Sequence, residues 1–318
     1  MNKVKKAFFC SNCGAEHSKW QGQCNSCKSW NTLVEEIIKN PNKKEWKSKN
    51  INGYSSKPIH IKNITSKTID KISSGDKELD RVLGGGIVPG SLVLLGGEPG
   101  IGKSTLLMQV ANSVNGKVVY VSGEESEQQI KLRSERVNKY ESDCYLLSET
   151  NTQTLLTHLD NLNPSLVIID SIQTLYSSLI DSSSGSVGQI RTCTAELIHY
   201  AKQTHTPIFI VGHITKDGSI AGPKVLEHMV DTVLNFEGDR NHLHRILRVH
   251  KNRFGTTSEL GIYEMNQSGL KAVKNPSSFL ISKYVSDLSG HSICATIEGI
   301  RPMLIEVQAL VSSAVYGT

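Results

Sequence analysis

The chain has 318 residues, of which 38% are hydrophobic, so it is long enough for about two domains with buried cores. It contains no apolar run of the roughly 18 residues that span a membrane. Its basic N-terminus also lacks the apolar stretch of a signal peptide, so we expect a soluble cytoplasmic protein. The net charge of +5 is uneven, because residues 1–62 carry 12 Lys against 4 Glu while the rest carry 23 basic against 26 acidic side chains. This imbalance indicates a polyanionic partner or, for residues 39–62 alone, a solvated Lys-rich linker.

The first element in chain order is a pair of Cys-x-x-Cys knuckles. Cys10 and Cys13 form one knuckle, and Cys24 and Cys27 form the other. Each knuckle presents two thiolates to one half of a tetrahedron, so the spacing predicts a Zn²⁺ site with four cysteine ligands. Two disulfide bonds are the alternative, and they do not suit a cytosolic chain. We expect the metal to supply most of the folding energy of residues 1–35, since so small a unit buries little apolar surface.

Residues 36–66 are rich in Lys, Asn and Ser and are predicted to be an extended, flexible linker. From 67 to 274 the pattern is that of an α/β domain: a short amphipathic helix and a glycine turn, followed by apolar strands that alternate with helices. Continuous apolar strands of this kind predict a mainly parallel sheet covered on both faces. The strands are predicted at 92–95, 118–121, 144–147, 166–170, 208–211, 232–236 and 245–250, and the helices at 126–138, 152–162 and 189–203.

The strongest functional signal follows the first core strand. The motif comprises Gly97, Glu98, Pro99, Gly100, Ile101, Gly102, Lys103, Ser104 and Thr105. It fits the phosphate-binding loop G-x-x-x-x-G-K-[ST], with a strand before it and a helical pattern after it. Its glycines would let backbone N–H groups converge on the phosphates of ATP at the start of a helix. Lys103 would reach the β- and γ-phosphates and Ser104 would bind Mg²⁺; the alternative is a Gly/Pro turn that happens to hold a lysine.

Carboxylates at two other strand ends complete an ATPase hypothesis. Asp170 ends an apolar strand and would hold Mg²⁺, through water. Glu124 and Glu125 follow another strand, which we expect to lie beside the strand of the phosphate loop. One of them would orient or deprotonate the attacking water, and we prefer Glu124. The other would simply begin a helix, where an acidic side chain is favourable.

Six segments together resemble the RadA (Sms) family of bacterial DNA repair ATPases, which are RecA-like proteins. They are GEPGIGKSTLLMQ, YVSGEES, VIIDSIQT, GHITKDG, AGPKVLEHMVDTVLNFEGD and KNRFG. The four-cysteine knuckle before the ATPase domain fits the same family, and the resemblance covers nearly the whole chain. It implies a hexameric ring on single-stranded DNA that uses ATP for branch migration of recombination intermediates. It also implies cooperation with the RecA recombinase.

The resemblance further implies roles for residues outside the phosphate loop. KNRFG contains Lys251 and Arg253, which would act on a neighbouring subunit's ATP as an arginine finger does. From the residues alone, the same motif could be a solvated basic turn. The implied γ-phosphate sensor and DNA loop comprise His213, Thr215 and Lys216, although a structural histidine explains His213 equally well. The segment 181–188, with Gln189 and Arg191, would be a mobile loop near the pore of the ring.

Residues 275–318 resemble the first strands of the Lon-protease-like domain into which this family continues. Because the chain ends at Thr318, we expect a shortened protein or a decayed gene, and we find no Ser–Lys protease dyad. Two alternatives to a DNA-dependent ATPase remain. One is a nucleotide-switched scaffold that binds protein partners, like the circadian-clock relatives of RecA, and the other is an inactive remnant. KNRFG and the basic cysteine module favour DNA, and the complete ATPase set argues against an inactive remnant.

Overall fold

The computed structural model describes residues 5–38, 60–63, 70–137, 143–212, 225–238, 244–281, 290–299 and 301–312. Most of the predicted linker lies outside these ranges. So do the residues of the expected sensor and DNA loop, namely His213, Thr215 and Lys216.

The described residues form strands and helices in the alternating order that the sequence predicts. The strands are β1 (Lys5–Cys10), β2 (Glu16–His17), β3 (Leu33–Ile38), β4 (Leu92–Gly97), β5 (Val118–Ser122), β6 (Cys144–Leu147), β7 (Leu166–Asp170), β8 (Ile180–Asp181), β9 (Ile208–Val211), β10 (Thr232–Glu237), β11 (His244–Asn252), β12 (Leu260–Asn266), β13 (Gly269–Ala272), β14 (His291–Glu298) and β15 (Arg301–Gln308). The helices are α1 (Lys77–Val82), α2 (Lys103–Ser113), α3 (Glu127–Val137), α4 (Thr152–Leu162), α5 (Val187–Thr204), α6 (Val225–Met229) and α7 (Ser277–Leu280), with short 3₁₀ turns at Ile61–Asn63 and Ile172–Thr174.

The central sheet confirms the predicted α/β class. Within the described residues its strand order is β13-β12-β11-β10-β4-β9-β7-β5-β6. The strands from β10 to β6 are parallel to one another, and β11, β12 and β13 extend the sheet in antiparallel fashion. The carboxyl ends of the parallel strands therefore share one edge, where ligands bind in sheets of this type.

The position of β5 corrects one prediction. We expected the strand before Glu124 to lie beside the phosphate-loop strand, but β9 and β7 lie between β5 and β4. A crossover through a helix can skip strand positions that later segments of the chain fill. The direct neighbour of β5 is therefore β7, and Ser122 at the end of β5 lies opposite Asp170 at the end of β7.

Both faces of the central sheet are buried. Alternate residues of β4 point to opposite faces, so Val93 and Leu95 belong to one hydrophobic cluster and Leu92 and Leu94 to the other. On the first face, α2 contributes Leu106, Leu107, Val110 and Ala111, and Val114 follows directly after the helix. On the second face, α4 and α5 contribute Leu155, Leu156, Leu159, Ile190, Leu197 and Ala201. Each large side chain buried in this way contributes about 1.5–3 kcal/mol, which fixes the sheet as a rigid support for the loops at its edge.

The cysteine module forms a second, smaller sheet that reaches the ATPase domain. Its strand order is β2-β1-β3-β8, and β3 continues to Ile38, past the predicted end of the module at residue 35. The last strand, β8, includes Asp181, the first residue of the segment that we expected to be mobile, and Ile38 pairs with Ile180. Gln189 is buried and anchors that segment, since it accepts a hydrogen bond from Ser177 N at 2.7 Å and donates one to Ser182 O at 3.0 Å. The two modules are therefore in direct contact.

The last described strands form an antiparallel hairpin of β14 and β15. Arg301 ties it to the ATPase domain by donating to Glu78 Oε1 at 2.7 Å and to Val273 O at 2.8 Å. The hairpin exposes the apolar residues Ile293, Ile297, Leu304 and Val307. In the described part of the chain, no helix combines the length and the apolar character needed to cross a bilayer.

Candidate nucleotide and metal sites

The phosphate-loop motif connects β4 to α2, as the sequence predicts. Gly97, Gly100 and Gly102 have φ angles of 148°, 77° and 118°, which favour glycine over other residues. A Cβ atom on Gly97 would also lie 2.7 Å from Phe236 O, so that position has no room for a side chain. No side chain caps the first turn of α2, whose N-cap is Gly102. Its backbone N–H groups and the positive end of the helix dipole are therefore suited to an anion.

Lys103 lies at the start of α2 and is only 4% exposed. Its Nζ donates hydrogen bonds to Gly97 O at 2.7 Å and to Glu98 O at 2.8 Å, so the loop carbonyls hold the ammonium group inside the loop. Burial lowers the pKa of Lys103 to about 8, although the charges of Asp170 and Glu124 oppose that shift. A phosphate group beside this ammonium would stabilise its charged form.

The two predicted carboxylates lie close to each other at the carboxyl edge of the sheet. Asp170, 8% exposed at the end of β7, accepts a hydrogen bond from Tyr120 Oη at 2.6 Å. Glu124, exposed just after β5, accepts one at Oε1 from Ser171 Oγ at 2.8 Å. Because Ser171 follows Asp170 directly, this bond holds the Glu124 carboxylate beside the end of β7.

The environments of the two adjacent glutamates differ. Glu125 forms an ion pair with Arg133 of α3, whose side chain is 12% exposed. Ser122 Oγ accepts hydrogen bonds from the backbone N–H groups of both glutamates, at 3.3 Å and 3.2 Å, and so shapes the turn between β5 and α3. The pairing with Arg133 gives Glu125 a structural role at the start of that helix, which favours Glu124 as the carboxylate that faces the nucleotide.

Sequence reasoning did not single out Tyr120 or Ser171. Each carries a hydroxyl group that donates to one of the two carboxylates. A tyrosine within an otherwise aliphatic strand was one available signal, and a hydroxyl residue directly after the strand-ending acid was the other. The hydroxyl of Ser104 and the carboxylate of Asp170 are the hard oxygen ligands that Mg²⁺ prefers, so this edge of the sheet fits a magnesium nucleotide.

KNRFG lies at the other edge of the same sheet. Thr232 of β10 pairs with Val93 near the start of β4 and with Asn252 at the end of β11. Four residues separate Val93 from the end of β4, or about 13 Å along the strand. Lys251 and Arg253, on either side of Asn252, are thus remote from the phosphate loop of their own chain.

The two cations of this motif are held differently. Lys251 Nζ donates to the carbonyl oxygens of Glu227, His228 and Val230 at 2.7, 3.1 and 2.8 Å, at the C-terminal end of α6. The side chain of Arg253 is 56% exposed and lies 3.3 Å from Asp231 Oδ1. Both cations thus have partners within their own chain, but more than half of the Arg253 side chain is exposed to solvent.

The four cysteines of the N-terminal module converge on one point. Their Sγ atoms all lie within 4.8 Å of one another, with Cys10–Cys27 at 3.6 Å and Cys13–Cys24 at 3.5 Å. A tetrahedron with Zn–S bonds of about 2.3 Å has edges of roughly 3.8 Å, so the cluster has the size of a zinc site.

The surroundings act differently on the four thiols, and burial raises the pKa of Cys13 to about 12. A hydrogen bond from the side chain of Ser29 lowers the pKa of the Cys27 thiol to about 6. Cys10 Sγ lies 3.1 Å from Thr32 Oγ1, and Cys24 Sγ lies 3.4 Å from His17 Nε2. Such second contacts orient metal ligands in proteins. Arg191, from α5, donates to Gly14 O at 2.9 Å and so joins the module to the ATPase domain.

Comparisons with known proteins agree with both sites. A family model described as an AAA domain matches residues 57–219, and one described as a rubredoxin metal binding domain matches residues 8–35. The chain is 50% identical to the DNA repair protein RadA of Listeria monocytogenes and to that of Bacillus subtilis, each over 322 residues. It is 48% identical to RadA of Streptococcus pyogenes over 321 residues. In each case the match covers 100% of this chain and 70% of the relative.

Proposed function

The chain belongs to the family of the DNA repair protein RadA, and on that premise we propose that it is a DNA-dependent ATPase that processes recombination intermediates. In this proposal the protein moves along single-stranded DNA as a homo-oligomeric ring, with a hexamer as the expected form. It drives branch migration and acts together with the RecA recombinase. The net charge of +8 on residues 1–62 supports a polyanionic partner.

The observation that carries the ATPase proposal is the meeting of Lys103, Asp170 and Glu124 at one edge of the sheet. Lys103 would bind the β- and γ-phosphates, while Ser104 and Asp170 would hold Mg²⁺. Mg²⁺, when bound, neutralises charge on the phosphates. Glu124 would accept a proton from the attacking water or orient it, and the hydrogen bond from Ser171 supports that position.

Lys251 and Arg253 enter this proposal through a neighbouring subunit. They lie at the edge of the sheet opposite their own phosphate loop, so a role in hydrolysis requires the nucleotide of another chain. The exposure of Arg253 favours it as the group that crosses the subunit interface. A guanidinium group in that place would stabilise the charge that develops on the transferred phosphoryl group.

Two neighbouring substitutions test the ATPase proposal. Glu124→Gln keeps a hydrogen-bond acceptor for Ser171 but removes the base, so this variant should bind ATP and lose most of its turnover. Glu125→Gln is the matched control, and it should retain hydrolysis because Glu125 serves Arg133. Steady-state hydrolysis would be measured with and without single-stranded DNA. A wild-type protein that binds ATP but never hydrolyses it would favour the nucleotide-switched scaffold. If Glu125→Gln loses hydrolysis and Glu124→Gln keeps it, Glu125 is the catalytic carboxylate instead.

We also propose that Cys10, Cys13, Cys24 and Cys27 hold one Zn²⁺ per chain. Their sulfur geometry and the match to a metal-binding domain support this proposal. Elemental analysis should find one zinc for the wild type and none for Cys27→Ser. Cys294→Ser is the control, because Cys294 is exposed and lies outside the cluster. A wild-type protein without metal, or with a disulfide among these cysteines under reducing conditions, would contradict the assignment.

A further inference from the structure

A buried phenol lies behind the carboxylate that we assign to Mg²⁺. Tyr120 is 0% exposed in the middle of β5, and its Oη is 2.6 Å from Asp170 Oδ2. Directly across the sheet Tyr120 faces Ile168, while Asp170 lies two residues further along β7. Long aromatic side chains reach such diagonal positions between paired strands. The phenol therefore approaches Asp170 from inside the sheet and not from the loops.

The hydrogen bond between these groups has a fixed direction. The phenol hydroxyl is a hydrogen-bond donor and a carboxylate oxygen is an acceptor, so Tyr120 donates to Asp170. Hydrogen bonds to an ionised acceptor are shorter and stronger than those between neutral groups. This bond occupies one lone pair of Oδ2 and leaves both lone pairs of Oδ1 for a ligand.

The ring of Tyr120 is itself held in place. The guanidinium carbon of Arg133 lies 6.0 Å from the centre of the ring, and Arg133 pairs with Glu125. Leu106 of α2 and Ile168 of β7 belong to the same buried cluster as Tyr120. A ring enclosed in this way cannot follow a moving carboxylate, so it sets the orientation that Asp170 adopts.

We propose that Tyr120 is a positioning residue for the magnesium ion of the nucleotide, which it serves by fixing the rotamer of the Asp170 carboxylate. The inference rests on the proposed ATPase function, since it assumes that Asp170 serves Mg²⁺. Loss of a hydrogen bond to a metal-binding carboxylate weakens metal affinity by roughly 10- to 100-fold. If instead the phenol only satisfies a buried polar group, its loss would lower stability and leave the metal dependence unchanged.

Tyr120→Phe tests this role because it removes one hydroxyl group and keeps the ring. We expect the Mg²⁺ concentration that half-saturates ATP hydrolysis to rise about tenfold. Binding of a fluorescent N-methylanthraniloyl-ADP should weaken in limiting Mg²⁺ and stay at the wild-type level in EDTA. Tyr200→Phe is the matched control, since Tyr200 is a 1% exposed tyrosine of α5 away from the site. It should show the wild-type dependence on Mg²⁺.

Two results separate failure of the inference from failure of the function. If the wild type binds the fluorescent nucleotide without any effect of Mg²⁺, the ATPase proposal fails and the role of Tyr120 fails with it. If the wild type depends on Mg²⁺ and Tyr120→Phe shows the same dependence, only the role of Tyr120 is overturned.

A second measurement covers the case in which Tyr120→Phe does not fold. A 3-fluorotyrosine placed at position 120 keeps the hydroxyl group and reports on its surroundings through the ¹⁹F resonance. Addition of Mg²⁺ to the ADP-bound protein should shift this resonance and leave that of a 3-fluorotyrosine at position 200 unchanged. An unshifted resonance at 120, under conditions in which Mg²⁺ strengthens nucleotide binding, would contradict the proposal.

Discussion

Two lysines at opposite edges of the central sheet are held in similar ways. Lys103 donates to two carbonyl groups of the phosphate loop, and Lys251 donates to three carbonyl groups at the C-terminal end of α6. Burial lowers the pKa of both ammonium groups. In the sequence both belong to short motifs that favour binding of a nucleotide. The structure shows that their partners differ in kind.

The partners of Lys103 belong to a glycine-rich loop with an uncapped helix start, where an incoming phosphate can replace the carbonyls. The partners of Lys251 are carbonyls at the C-terminal end of α6 and directly after it, a place where a cation is already favourable without any ligand. On the basis of this difference we propose that Lys103 binds the ligand and that the main role of Lys251 is structural. Of the two KNRFG cations, Arg253 is then the better candidate for action on a neighbouring subunit.

Lys103→Ala should have the largest effect. Lys103 is the cation that the loop places for the β- and γ-phosphates, so ATP turnover should fall by roughly 10³-fold or more. Lys117→Ala is the control, because Lys117 is exposed beyond the end of α2, outside the phosphate loop. Hydrolysis of ATP under saturating Mg²⁺ measures both variants. Near-normal turnover by Lys103→Ala would show that the nucleotide binds elsewhere. Lys103 and Lys251 would then no longer differ in their role toward a ligand.

Arg253→Ala should have the second largest effect on ATP turnover. It should bind nucleotide nearly normally and hydrolyse it about 10³-fold more slowly, because an arginine finger stabilises the transition state of hydrolysis and not the bound nucleotide. Arg248→Ala, at an exposed arginine of β11, should retain turnover. Fluorescent nucleotide binding and single-turnover hydrolysis separate these two effects.

Mixing the inactive variants tests whether Arg253 acts between subunits. In a mixed ring of Arg253→Ala and Lys103→Ala chains, some interfaces join an intact phosphate loop to an intact Arg253, so part of the activity should return. This requires a multi-subunit species on sizing with ATP and DNA. A mixture that co-assembles and stays inactive would place Arg253 in a role within its own chain.

Much of the candidate nucleotide and metal sites could be predicted from the sequence because their signals are local. The glycine loop, the apolar strand that ends in Asp170 and the spacing of the cysteines are each contained in a few consecutive residues. The ends of the predicted strands agree with the observed ones to within two residues for the same reason, because a strand ends where its apolar run gives way to polar residues. The antiparallel strands β12 and β13 were not predicted, because glycine and polar residues interrupt their apolar patterns.

Other features depend on contacts between distant residues. The separation of β5 from β4 is decided by later segments that fill the gap, and no local pattern records it. The pairing of β3 with β8 involves a strand of two residues, Ile180–Asp181. Arg191 recognises the carbonyl oxygen of Gly14, a group that every residue supplies. Such contacts carry no residue signature, so the docking of the cysteine module was visible only in three dimensions.

Lys251→Met should separate the structural role of this lysine from a catalytic one. The substitution keeps an apolar stem and leaves three carbonyl groups without their shared donor, so the free energy of unfolding should fall by about 1–3 kcal/mol. Turnover per folded molecule should change less than in Arg253→Ala. Urea unfolding measures the first quantity and hydrolysis the second. Unchanged stability together with a turnover loss as large as that of Arg253→Ala would make Lys251 the catalytic cation of the pair.

The smallest expected effect is a pH dependence of nucleotide binding that arises from Lys103. Its pKa is about 8 in the free loop, and phosphate would raise it, so binding is coupled to proton uptake. Below about pH 8 the ammonium is already charged and affinity should be constant. As pH rises through 8, a proton must be taken up first, and affinity should fall by up to tenfold per pH unit until the pKa of the bound state is reached.

Lys103→Arg, which keeps its charge throughout this range, should abolish the slope if it still binds. Titration of the fluorescent ADP between about pH 7 and 9.5 measures the effect, and calorimetry in buffers of different ionisation enthalpy counts the protons. A flat profile in the wild type, or the same slope in Lys103→Arg, would show that the carbonyl-bound ammonium of the free loop stays charged and that phosphate replaces its partners without a proton.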